Sequence, residues 1–408
     1  MVMVFIRLYR IIVAILLAAS LVLRPETGRT LERTAKLTPD PDIKYRQISS
    51  SAPSGSVTVH MVLVDLDAVR SGRLTVEPAP AGSLAGQVAS PGSIGRRLGA
   101  LATINGPYFA AAGGKTYPLG FTAIGGRLVQ LGNLRRPIVG IDPDGEFRIE
   151  VAHPQAFITS EAYFEPVWLW GVNIPAGADA VTMYDGSWGE RVSCQGGVAV
   201  AIAPQEGEGE SDVVVVGPLR DRDESWDGEV VAVSDSGSVE IPSDGCALVF
   251  RGRQAGASGR YREGARAAVY VYELPEGWET MGWIATLGPW FVREGRVRDF
   301  SEETAYGQTV TGRAARSAIG ITWNDEIFFA ITRGASLSVL EAADVLIECN
   351  AREAVMCDSG SSSGMWVAGV GALGNSREIP LAFAVRERDE DEETAEPLRV
   401  WSGRLFRH

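Results

Sequence analysis

Short apolar runs bounded by glycine and other turn residues recur along most of this chain, and they fix the kind of fold it can adopt. Val57-Thr58-Val59-His60-Met61-Val62-Leu63-Val64, Leu74-Thr75-Val76, Ala102-Thr103-Ile104 and Ile138-Val139-Gly140-Ile141 are examples. So are Val181-Thr182-Met183-Tyr184, Val213 to Val216, Val230 to Val233, Ala268 to Tyr272, Ser317 to Thr322, Ile327 to Thr332 and Ala354 to Cys357. Runs of about four to eight residues, rich in β-branched side chains and closed by turn residues, read as strands. Helical spacing is confined to Ser336 to Cys349, where Leu337, Leu340, Ala343, Val345 and Leu346 face inward and Glu341 and Asp344 outward, and to part of Ala81 to Gly99. The expected fold class is α+β: a β-rich mixed sheet with a few flanking helices.

The chain has 408 residues and a formal charge of −13, which argues against nucleic acid as a partner. Its three histidines, His60, His153 and His408, leave little material for a histidine-rich metal site or for the base of a serine triad. No metal site and no cofactor are expected. The four cysteines, Cys194, Cys246, Cys349 and Cys357, form no C-x-x-C pair. Cys349 with Cys357 and Cys194 with Cys246 is the preferred disulfide pairing, with four free buried thiols as the alternative.

Arg7 and Arg10 precede an apolar run from Ile11 to Leu23, closed by Arg24-Pro25. That run is short for a membrane span and suits a signal-peptide core or an uncleaved N-terminal membrane anchor. Either reading makes the protein extracytoplasmic: secreted, periplasmic or membrane-anchored. The expected organisation is a signal or anchor over 1–24, a Pro/Ser/Thr-rich linker over 25–55, one domain over 56–385 and an acidic tail over 386–408.

Chemistry concentrates in Ala354-Val355-Met356-Cys357-Asp358-Ser359-Gly360-Ser361-Ser362-Ser363-Gly364-Met365. A buried strand ends in a carboxylate, and small hydroxyl residues follow. Such a strand end can present a polar site on a rigid scaffold; the plainer reading is a Gly/Ser turn in which Asp358 caps its own backbone. Gly360-Ser361-Ser362-Ser363-Gly364 formally matches G-x-S-x-G. A nucleophile elbow needs a helix after the serine, and Met365-Trp366-Val367 reads as extended.

Several segments resemble the phosphodiester glycosidase family, in that family's order and over roughly residues 57–385. Asn105-Gly106-Pro107-Tyr108-Phe109 is similar to its Asn-Gly-Gly-Phe-Phe block. Pro118-Leu119-Gly120, Gly125-Gly126-Arg127-Leu128, Gly171-Val172-Asn173 and Leu287-Gly288-Pro289-Trp290 resemble its following turns and strands. Arg316-Ser317-Ala318-Ile319-Gly320, Asp358-Ser359-Gly360-Ser361-Ser362-Ser363 and Arg377-Glu378-Ile379-Pro380 resemble its later blocks. Three departures stand out: Ala315 for a proline, Ser359 for a glycine, and Ile331-Thr332-Arg333-Gly334 where the family carries an aspartate.

The resemblance implies cleavage of a sugar-1-phosphodiester to free sugar and a phosphomonoester, with a sugar-phosphate substrate such as a cell-envelope glycan as partner. It points to Asp358, Arg316 and Asn105 as catalytic. Gly106, Tyr108, Ser317, Gly360, Ser361, Ser362 and Arg377 are the expected substrate-binding residues. Arg316 would supply a guanidinium fork for phosphate, or pair at the surface with Glu302 or Glu303. Asp358 would act at the anomeric carbon, or hold a structural divalent cation. Backbone N–H groups of Gly360 to Ser362 would form an anion nest. Trp290 and Trp366 are candidates for stacking on a sugar, and equally for the core. The missing aspartate leaves a second reading open: an inactive glycan- or phosphate-binding module on the same fold.

Overall fold

A computed structural model describes residues 31–35, 41–82, 85–125, 127–142, 144–194, 196–204, 214–216 and 228–388. The N-terminal apolar run and the tail from residue 389 lie outside the described residues. No helix among the described residues is long and apolar enough to cross a membrane.

The centre of the fold is an eight-stranded sheet ordered Leu31–Ala35, Ile43–Ala52, Gly55–Asp65, Glu326–Gly334, Ser317–Thr322, Ala351–Met356, Trp290–Arg293, Arg296–Val297, antiparallel throughout. Its inner strands are apolar at consecutive positions because both faces are covered, and the period of two sends alternate residues to opposite cores. Val62, Val64, Ile319, Ile321, Phe329, Ile331, Val355 and Cys357 face one core. Val59, Met61, Leu63, Ala318, Phe328, Ala330, Ala354 and Met356 face the other, which is closed by the helix Val339–Glu348.

The first core is shared with two five-stranded sheets. One is ordered Gly371–Gly374, Gly364–Val367, Ala102–Asn105, Leu381–Glu387, Leu74–Pro80, and is backed by the helix Pro91–Leu98. The other is ordered Phe147–Ala152, Arg136–Ile141, Trp283–Thr286, Thr122–Ile124, Arg127–Gln130. Its far face packs on a nine-stranded sheet that includes Gln155–Ser160, Tyr163–Trp168 and Arg266–Tyr272. Two strand pairs there are parallel, so the architecture is the expected β-rich mixed arrangement with few helices.

Three expectations are corrected. The linker assigned to 25–55 contains the strand Ile43–Ala52, paired residue for residue with Gly55–Asp65. Its Ser-rich end hides the alternation Ile43, Tyr45, Ile48, which is buried. At the other boundary Arg386 and Glu387 belong to the strand Leu381–Glu387, and Arg386 pairs with Glu77 at 2.7 Å. The preferred disulfides do not form: all four cysteines are buried thiols. Cys349 and Cys357 lie on opposite faces of the eight-stranded sheet, and Cys194 and Cys246 in different cores.

The helix after Ser336 also differs from its expected faces. Ser338 caps it, accepting from the Glu341 N–H, while the Glu341 carboxylate returns to the Ser338 N–H. That capping box, with Arg313 paired to Glu341 at 2.5 Å, buries Glu341, and Leu340 faces solvent instead.

Candidate active site

Two strand ends meet where the sequence concentrates its polar residues. Asn105 ends the strand Ala102–Asn105, and Asp358 follows the strand Ala351–Met356. The Asp358 N–H donates to the Gly106 carbonyl at 3.0 Å. The Asp358 carbonyl accepts from Asn105 Nδ2 at 2.5 Å and from Ser317 Oγ at 2.9 Å. Asn105 Oδ1 accepts from the Gly364 N–H at 3.1 Å. The backbone of the 358–364 loop is thereby over-determined. Gly106 is needed for this approach: a Cβ there would stand 2.7 Å from the Leu381 carbonyl oxygen.

Asn105 and Ser317 are fully buried and hold this loop; neither presents its side chain to solvent. Of the anion nest expected over Gly360 to Ser362, the first N–H is already taken. The Gly360 N–H donates to the Ala315 carbonyl at 2.8 Å, and Gly360 sits at φ 72°.

The Asp358 carboxyl is partly exposed. Burial raises its pKa, while a hydrogen bond from Ser362, the charge of Arg377 and the Ser359 N–H favour the ionised form. Arg377 is exposed and donates to Ser362 Oγ at 2.9 Å and Ser361 Oγ at 3.2 Å. Its guanidinium lies 4.6 Å from the Phe109 ring centroid. A carboxyl, two hydroxyls and an accessible cation therefore converge at the end of one buried strand.

Arg316 is held within the protein. It is 2% exposed, and its surface pairing with Glu302 or Glu303 does not occur. Nε donates to the Leu337 carbonyl at 2.9 Å and Nη1 to Val310 at 2.8 Å, and Nη2 donates to Gly312. Its guanidinium is closed by carbonyls and offers no fork to a ligand. It remains close enough to Tyr108 to act on that phenol electrostatically.

A second group of residues near Tyr108 escaped the sequence reading. Tyr306 Oη donates to Glu303 at 2.5 Å, and Arg298 pairs with Glu303 at 2.6 Å. Arg136 stacks 4.1 Å over the Tyr306 ring and 5.9 Å from Tyr108. Gly288, at φ 129°, makes room for the Tyr306 hydroxyl, which a Cβ would meet at 2.1 Å. The one local signal was the Leu287-Gly288-Pro289 turn. Everything else depends on segments distant in the chain.

Trp290 is buried, its Nε1 donating to the Val292 carbonyl and to Glu353. Gly92 and Gly95 pack against the Trp366 ring. Ser362 precedes the strand Gly364–Val367 rather than a helix, which removes the nucleophile-elbow reading. The Thr332 N–H donates to the Arg316 carbonyl and Thr332 Oγ1 accepts from the Arg316 N–H, each at 2.8 Å, while Arg333 is exposed.

Comparison with known proteins bears on this arrangement. A hypothetical protein from Synechocystis superposes with a TM-score of 0.71 at 21% identity, over 90% of this chain and 64% of its own length. This chain thus spans under two thirds of that protein. A protein from Burkholderia pseudomallei K96243, named as exported, superposes with a TM-score of 0.67 at 16% identity, over 89% of this chain and 99% of its own. Both likenesses establish the fold. The catalytic domain of zebrafish N-acetylglucosamine-1-phosphodiester alpha-N-acetylglucosaminidase, auto-inhibited by its pro-peptide, aligns at 14% identity with a TM-score of 0.45, over 88% and 90%. No curated protein matches this chain. Residues 225–386, which carry Arg316, Asp358 and Arg377, match the phosphodiester glycosidase family model.

Proposed function

We propose that this protein hydrolyses the glycosidic bond of a sugar-1-phosphodiester, releasing free sugar and a phosphomonoester. The observation that carries the reading is the partly exposed Asp358 carboxyl, fixed at a strand end with Ser362 and Arg377 beside it. Water supplies the new bond at the anomeric carbon, the bond from that carbon to the phosphate oxygen breaks, and the phosphate leaves with the electron pair. A phosphate is acidic enough to leave with little protonation, so a single carboxylate suffices to stabilise the oxocarbenium-like state or to activate water. Arg377, beside that carboxylate and stacked on Phe109, offers the accessible positive charge for the sugar-phosphate.

The same reading places the protein outside the cytoplasmic membrane, on the basic and apolar N-terminal run, with a cell-envelope sugar-phosphate as substrate. Arg333, standing where the family carries an aspartate, favours a second reading: a binding module without turnover.

The whole chain, assayed on a panel of sugar-1-phosphodiesters beside Asp358→Asn, separates them. Sugar release by the parent, lost by about a thousandfold or more in the variant at an unchanged melting temperature, supports hydrolysis. Tight binding of the same compounds with no release supports the binding module.

A further inference from the structure

Arg136 is a cation without an anion. Among the described residues no carboxylate pairs with it, and its Nε is buried without a hydrogen-bond partner. The hydroxyl of Tyr108, whose ring it neighbours, is likewise buried and without a partner. Buried polar groups are almost always hydrogen-bonded, so two orphans on residues whose guanidinium and ring centroid stand 5.9 Å apart need a reason.

Neighbouring groups do not supply one. Tyr306, on which Arg136 stacks, already donates to Glu303, and Glu303 is already matched by Arg298. The carbonyls around Arg316 are taken by Arg316 itself. The carboxylate that acts on Tyr108 is Asp358. Arg377 is the cation that acts on Asp358, while Arg136 and Arg316 act on Tyr108. Arg136 stacks on Tyr306, and its Nε has no acceptor among the described residues. Tyr108 is a neutral donor, since burial holds its phenol well above the usual range. A guanidinium and a neutral hydroxyl together match the oxygens of a phosphate group.

We propose that Arg136 and the Tyr108 hydroxyl bind the phosphate of the substrate, a role the sequence had given to Arg316. The identity of the anion rests on the hydrolase reading above; the existence of an anion site rests on the two orphaned donors. Both residues lie outside the stretch that the family model matches.

The test is calorimetric titration of the whole chain with inorganic phosphate, alongside Arg136→Gln, Arg136→Lys, Tyr108→Phe and the remote, exposed Arg191→Gln. A charge-assisted hydrogen bond is worth on the order of tenfold or more in affinity. Phosphate affinity should fall at least about tenfold in Arg136→Gln and in Tyr108→Phe, less in Arg136→Lys, and not in Arg191→Gln. The KM for a sugar-1-phosphodiester should rise in step. If Arg136→Gln does not fold, Tyr108→Phe, which keeps the ring beside Arg136, decides alone. A parent that binds no phosphate, or folded variants that bind it as the parent does, overturns the site. Phosphate binding lost as expected with no sugar released by any protein keeps the site and sinks the hydrolase reading. Sugar release that survives Arg136→Gln and Tyr108→Phe at unchanged KM does the reverse.

Discussion

The side-chain amide of Asn105 donates to the backbone carbonyl of Asp358 at 2.5 Å, while its oxygen accepts from the Gly364 N–H at 3.1 Å. One buried amide thus closes both ends of the loop that carries Asp358. Asn105→Asp keeps the shape but sets a carboxylate oxygen against the Asp358 carbonyl. It should cost about 2–3 kcal/mol, seen as a lowered urea midpoint at constant slope. An unchanged midpoint would show that the loop holds itself.

Arg316 should behave as a structural residue. Lysine cannot reach three carbonyls with one ammonium, so Arg316→Lys leaves buried acceptors unpaired. The expected loss is about 2–4 kcal/mol of stability with little change in KM for the folded fraction. A raised KM at full stability would return Arg316 to the phosphate.

Activity should carry an acid limb set by Asp358. Burial raises its pKa, so the ionised form is reached only above the ordinary aspartate range, and kcat/KM rises with pH through that raised value. Arg377 works in the opposite direction. Removing its charge in Arg377→Gln disfavours the carboxylate and should move the limb to higher pH. A pH–rate profile with the limb unmoved would place Arg377 away from the carboxyl.

Stability should weaken in mild acid through His60. Its ring is buried, bonded to Tyr45 Oη at 2.6 Å, and its pKa is lowered by burial and then by Arg333. The unfolded chain therefore binds a proton near the ordinary histidine value of about 6.5 before the folded chain does. As pH falls through that value toward the lowered folded one, stability is lost; above it, none is lost on this account. His60→Phe should flatten the slope, measured as melting temperature against pH. Arg333→Ala should narrow the window from its lower end.

The strands were legible because a buried strand is a local pattern. Met61 to Val64 and Phe328 to Ile331 are apolar at every position since both faces are covered. Ile43–Ala52 was missed because serines end it and an outer strand needs only one apolar face. Leu340 was misassigned because helical spacing gives the period of a helix but not its phase, which the Ser338–Glu341 cap and the sheet beneath decide.

The site divides in the same way. By itself the sequence determined that Asp358 ends a buried strand beside hydroxyls; Arg377 entered only through the family resemblance. Only the tertiary structure decided which donors are already taken. Arg316 is closed by the carbonyls of Val310, Gly312 and Leu337, whereas Arg136 Nε and the Tyr108 hydroxyl find no partner among the described residues. An arginine's type and neighbours in sequence do not encode this. Hydrogen-bond satisfaction depends on what distant strands and turns deliver to the same place, and that is settled only when the chain has packed.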